Sequence, residues 1–237
     1  MHIHDGVLDP VVVIGAGAAA VGAVTYAGWT MRHGHLRLGW ALAGAGGVLI
    51  AHLLDVPLDT AGALTGHVIG GTLLAIVLGP SLALLTMTAA LATEALLWGD
   101  GGVLALGVNV LVMGVAGIAV GWSVWRWLGV RGDRWRVPAA GLAGFASVLA
   151  SSAALWAAFA LGAPGAASVV LWHHVAWAAL EGAVTAIAVA LVVAWQAHRA
   201  RLLNHADALG LGHRHQAVVD GDLEALGYVD EPRRTTA

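Results

Sequence analysis

The sequence predicts an all-α membrane protein that crosses the bilayer about seven times, and three observations carry that prediction. Apolar types make up 59% of the 237 residues while Asp, Glu, Lys and Arg make up only 11%, against about 25% charged residues in a typical soluble domain. Seven apolar runs come near the roughly 20 residues needed to span a hydrocarbon core. The arginines, finally, are confined to alternate connections between those runs.

The runs are 8–29, 38–54, 63–79, 80–98, 103–127, 138–161 and 168–196. The third is short and is joined to the fourth only by Gly79-Pro80, so a tight turn is required there and a re-entrant segment is the rival to a full crossing. Arg32 and Arg37 lie between runs one and two, Arg126, Arg131, Arg134 and Arg136 lie between five and six, and Arg199 and Arg201 follow seven. The other connections hold no arginine and carry Asp5, Asp55, Asp59 and Asp100. Positive residues in short loops stay on the cytoplasmic side, so the pattern predicts an N-terminus outside and a C-terminus in the cytoplasm. Trp98, Trp122, Trp125, Trp127 and Trp172, near span ends, suit interfacial anchors.

The beginning of the chain lacks the positive n-region and small-residue cleavage site of a signal peptide, and His2 is too large to favour removal of Met1. A free amine on Met1 is therefore expected. Beyond 197 the composition turns polar, with His198, His205, His213 and His215. This divides the chain into a transmembrane part, 1–197, and a cytoplasmic histidine-containing tail, 198–237. Gly15, Ala19 and Ala23 form a small-xxx-small ridge that serves helix packing, either within the chain or against another subunit.

Several function classes are excluded by what is missing. There is no cysteine, hence no disulfide or thiolate metal site. There is no lysine, hence no Walker motif of its own. A net charge of −3 without a basic cluster argues against nucleic acid as a partner, and the absence of a His-Glu-x-x-His motif argues against an intramembrane metal hydrolase.

An acid or base at the centre of a membrane helix costs about 2.5 to 3.5 kcal/mol on insertion scales, so each asks for a partner or a purpose. Here they are Glu94, Glu181, His52, His67, His173 and His174. His67, Glu94 and the 173–174 pair fall at the depth of the N-terminus. His174 and Glu181, seven residues apart on one helical face, read as a buried polar pair, and His52 as a packing residue. The Met1 amine, the His2 amide and the His2 imidazole offer three nitrogens in sequence. Their fused chelate rings impose a plane, which suits nickel(II) or copper(II), and His67 between small glycine neighbours is the candidate to close the square.

Met1-His2-Ile3 with Asp5-Gly6, Gly66-His67 with Gly70-Gly71, Gly99-Asp100-Gly101-Gly102, Gly107, Asn109, Met113-Gly114, and His174 with Glu181-Gly182 resemble the CbiM/NikM family from residue 1 to about 195. These are the substrate-capture subunits of energy-coupling-factor importers for cobalt and nickel. The resemblance implies that the N-terminus is tucked into the bundle, where Met1, His2 and His67 ligate the ion. It also implies a transmembrane coupling subunit, two cytoplasmic ATPases and a small accessory membrane subunit as partners, in the plasma membrane of a prokaryote. The chain itself would be no enzyme, and its cargo nickel(II) first and cobalt(II) second. Glu94 replaces the family's usual glutamine, Val112 a second asparagine and Trp177 a small aliphatic residue. Glu94 reads as a group orienting His67, Asp100 and Asn109 as supports of the glycine-rich loop, and His174 and Glu181 as helix-holding polar residues. The competing reading is a stand-alone secondary divalent-metal transporter, which wants paired acids or histidines along a path at the midplane.

Overall fold

The computed structural model describes residues 2–32, 38–54, 56–57, 65–163 and 170–208. Its contacts divide the chain into two units, 1–189 and 190–237, and everything that forms the candidate site belongs to the first.

Each predicted run contains a helix. α1 is Pro10–Met31, capped by the Asp9 carboxylate on the Val11 amide with proline in the first turn. α2 is Leu38–Leu53, α3 Gly71–Leu78 and α4 Pro80–Leu97. A continuous helical rod follows, α5 Leu106–Asn109 leading through a π-helical stretch, Val110–Ala116, into α6 Gly117–Gly129. α7 is Asp133–Gly162 and α8 Val170–Ala208. Among the described residues five helical spans are long and apolar enough to cross a membrane, and Leu38–Leu53 is a shorter apolar helix. A two-residue antiparallel pairing sets Val56 against Gly66 and Pro57 against Thr65.

The third run departs from a full crossing. Its helix has eight residues, about 12 Å at the α-helical rise, and residues 67–70 before it are not helical. His67 therefore sits on a loop rather than on a helix. Gly70 makes the turn into α3 with φ of +75°, a conformation that side chains with a Cβ rarely adopt.

The helices of the first unit alternate in direction, so their ends fall into two sets. One set carries Arg32, Arg126 and Arg131, whose guanidinium groups lie over the rings of Trp29, Trp122 and Trp127 at 4.5, 5.8 and 4.4 Å. A guanidinium stacked on an indole face near the end of a span suits a membrane boundary. The other set comprises the start of α1, the ends of α2 and α4, the start of α5 and the end of α7, where the Asp9 amide bonds the Gly162 carbonyl at 3.1 Å. The candidate site lies there. Large apolar side chains such as Val11, Ile14, Leu42 and Ile50 stand outward and exposed, as lipid-facing positions do.

Of the proposed small-residue ridge, Gly15 and Ala19 are exposed and so do not pack within the chain. The close approach on α1 is one face over: a Cβ on Gly107 would overlap the backbone of Gly17. Ile3 and Leu8 belong to the buried core, so the segment before α1 is folded into the bundle.

Candidate metal centre

The N-terminal segment is held by its backbone. The Ile3 amide donates to the Asn109 side-chain oxygen at 2.9 Å, and the Asn109 side-chain amide donates back to the Ile3 carbonyl at 3.0 Å. The Gly102 amide adds a second bond to that carbonyl at 2.9 Å, and the Asp5 carboxylate accepts from the Ala105 amide at 2.9 Å. Gly102 is required by this approach, because a Cβ there would overlap Asp5. Gly6, with φ of +82°, turns the chain away toward α1. The result is that the His2 side chain, 4% exposed, enters the bundle while His4 stays on the surface.

The second loop is anchored from α8. The two oxygens of Glu181 accept the amides of Ile69 and Gly70 at 2.7 and 2.8 Å. Two successive amides that no helix satisfies are thereby paired inside the bundle, and His67, two residues earlier, is presented at a fixed height. Trp177, one turn before Glu181, lays its indole where a Cβ of Gly66 would otherwise be.

These two segments meet the end of α2. One nitrogen from each of His2, His52 and His67 can be chosen so that all lie within 4.8 Å of one another. The ring centroids are 4.9 Å apart for His2 and His67, 4.1 Å for His52 and His67, and 5.3 Å for His2 and His52. Glu94, at the end of α4, lies among them, with Oε2 3.3 Å from His2 Nε2 and Oε1 2.8 Å from His52 Nδ1. Asp100 holds the other His2 nitrogen, Nδ1, at 2.9 Å. Burial opposes charge on His2, but the carboxylates of Asp100 and Glu94 outweigh it and hold its pKa above the ordinary imidazole value. The bond from His2 in turn holds the Asp100 carboxyl below the usual carboxylate range.

Three buried imidazoles and a carboxylate suit a borderline transition ion rather than magnesium or calcium, which take oxygen donors. Among the described residues, neither His2 Nε2, His52 Nδ1 nor either Glu94 oxygen makes an aligned hydrogen bond, although all are buried. Imidazole nitrogens and carboxylate oxygens grouped this closely are donors that a cation between them can use.

Set against the sequence reading, the structure brings His2, His67, Glu94 and Asp100 together and gives Asn109 the N-terminal segment to hold. Glu94, read as an orienting group for His67, meets His2 and His52. Asp100, read as a loop support, bonds His2 directly. Glu181, read as a helix-holding partner of His174, instead binds the backbone of the His67 loop. His174 is buried on α8 but is not one of the three clustered imidazoles. Met1 and the tail histidines His213 and His215 lie outside the described residues. A planar chelate from Met1 and His2 needs His2 Nδ1, the atom Asp100 holds here. His52 is the residue that sequence reasoning missed. The signal was present: it is an ionisable side chain in an apolar run, at the same depth as the others.

The chain matches the CbiM family, described as the cobalt uptake substrate-specific transmembrane region, over residues 2–199. It is 34% identical over 197 residues to a protein of Haloquadratum walsbyi described as a metal transport protein, covering 78% of this chain and 87% of that one. It is 37% identical over 175 residues to the fused nickel transport protein NikMN of Rhodobacter capsulatus, 68% of this chain but 47% of that protein, so it spans about half of that fused relative. The crystal structure of a truncated transition metal transporter superposes with a TM-score of 0.70 at 30% identity, covering 84% of this chain and 99% of that one. With its apolar helices and buried imidazole cluster, the chain belongs to the CbiM family of cobalt and nickel transport proteins, a multi-pass membrane protein of metal transport rather than an enzyme.

Proposed function

We propose that the chain is the substrate-capture membrane subunit of an energy-coupling-factor importer, taking up nickel(II) in preference to cobalt(II). The ion is taken by His2 and His67 with the Met1 amine, at the outer face. Release follows from association with a transmembrane coupling subunit, two cytoplasmic ATPases and an accessory membrane subunit, with the 198–237 tail on the cytoplasmic side. Asp100, Asn109 and Glu181 set the donors in place, Glu94 lends the pocket its negative charge, and His174 braces α8.

The observation that supports this most is the insertion of His2 beside His67 in a buried pocket at the arginine-free end of the bundle. A cation entering there exchanges its hydration shell for imidazole and carboxylate donors buried in the bundle. The absence of lysine, and with it of a Walker motif, leaves energy supply to other chains.

Metal analysis of the purified protein tests it, comparing the native chain with His2→Ala and with a chain carrying one residue before Met1. One nickel per native chain, lost in both variants, is expected. Undiminished nickel in the extended chain removes the Met1 amine from the ligand set. Uptake into vesicles by this chain alone, without partner subunits and ATP, would establish a secondary transporter instead.

A further inference from the structure

We infer that the furrow between α2 and α3 is a binding site for one phospholipid acyl chain, which enters lengthwise from the arginine-bearing side of the bilayer.

The furrow comes from side-chain size. Ala43, Gly47 and Ala51 recur every fourth residue and give α2 one narrow face. A small face of this kind ordinarily lets a second helix close in, but here only Gly44 is met closely, by the side chain of Leu74. A Cβ on Gly47 would meet nothing within 4 Å. Leu73 and Val77 on α3 form the opposite wall, and between the walls lies a cavity of about 390 Å³ lined by apolar residues.

Volume and length select the occupant. A methylene group takes about the room of a water molecule, about 30 Å³, so the cavity of about 390 Å³ holds about thirteen of them. From Trp40 to Ala51 the α2 wall is about 16 Å long at the helical rise, close to one leaflet's share, about 15 Å, of the hydrocarbon core. A helix of that length, about 10 to 12 Å across, needs more than about 1,000 Å³. One acyl chain therefore fits and a helix does not. Water is no alternative, because an apolar cavity offers it no hydrogen-bond partners.

The two ends of the furrow suit a lipid. Trp40 and Leu78 stand at one end, on the side of the bundle where Arg32, Arg126 and Arg131 lie over their indoles, so a headgroup phosphate there meets positive charge. Val68 and Gly70 close the other end. The Gly70 amide is one of the two that Glu181 accepts, so the tip of the acyl chain lies beside that bond and keeps water from it.

The test reconstitutes the full-length chain in nanodiscs of phosphatidylcholine and phosphatidylglycerol, extracts it into mild detergent and counts the phospholipid it retains by native mass spectrometry. One phospholipid is expected on the native chain and on Gly22→Leu, which sets the same side chain on an exposed glycine of α1. Gly47→Leu, with open space for its side chain, fills the furrow and loses that phospholipid. Val77→Phe fills it from α3 and gives the same loss, which keeps the test sound where either variant does not fold. Amide hydrogen exchange at Ile69 and Gly70 quickens when the native chain is stripped of lipid and stays slow in Gly47→Leu. A native chain that retains no phospholipid, or a filled furrow that retains as much as the native one, overturns the inference. A native dimer that Gly47→Leu splits assigns the furrow to a second copy and overturns it as well.

Discussion

The N-terminal segment and the 66–70 loop each carry an imidazole into the same pocket on non-helical backbone, yet they are anchored by different chemistry. Ile3 presents both an amide and a carbonyl, and Asn109, which has both an acceptor and a donor, answers each. Ile69 and Gly70 present two amides only, and Glu181 answers with two acceptor oxygens. Inside a bilayer no water can stand in for a missing partner, so an anchor must match the backbone groups it faces. A polar residue within an apolar run is therefore informative by type as well as by position: an amide marks a strand-like segment and a carboxylate marks a row of donors.

That contrast can be broken most severely at Glu181. Glu181→Ala leaves two buried amides unpaired and is expected to cost about 3 kcal/mol or more, with nickel affinity falling at least tenfold. Unfolding in detergent and calorimetric titration measure both. Glu181→Gln, with one acceptor, falls between, and a Gln variant equal to the native chain would show that the second bond contributes nothing.

At the other anchor, Gly102→Ala drives a methyl group into Asp5 and is expected to cost about 2 to 3 kcal/mol. The helices do not depend on it, so circular dichroism stays native while metal binding weakens. If binding is unaffected, the segment has another way into the bundle. Asn109→Ala follows at about 2 kcal/mol, and Asn109→Asp costs at least as much, because Asp keeps the acceptor for the Ile3 amide but sets a second carboxylate oxygen against the Ile3 carbonyl oxygen. An Asp variant equal to the native chain would mean that the donor half of the amide contributes nothing.

The smallest effect concerns protons. His2 must shed its proton to bind an ion, and its pKa is raised. On acidification nickel binding therefore begins to fail above the pH at which an ordinary imidazole of pKa about 6.5 would lose it, then falls about tenfold per pH unit. Asp100→Asn removes a carboxylate that favours the imidazolium, while Glu94, His52 and His67 still face the ring. The onset then moves to lower pH. A titration at several pH values reads the shift, and an unchanged or upward shift contradicts the role given to Asp100.

Much of the fold and half of the site were legible beforehand. The helices fall on the apolar runs because only hydrogen-bonded helix or closed barrel survives in lipid. His2 and His67 stood out through their neighbours, Gly66 and the short segment before Asp5-Gly6. The short third run hinted at the half-helix α3, but its loop could not be read, because a non-helical stretch is tolerated in an apolar run only when something buried satisfies it. That something is Glu181, 111 and 112 residues away from the two amides it binds.

The sequence by itself determined the membrane class, the helix positions, the arginine-rich connections and the presence of a few ionisable groups at one depth. It did not determine which way those groups point. Helices that are apolar on all sides carry no stripe to mark an inward face, so the rotation of α2 and α4 is set by packing against their neighbours. Only the tertiary structure turns His52 and Glu94, on separate helices 42 positions apart in the sequence, toward the same point as His2 and His67.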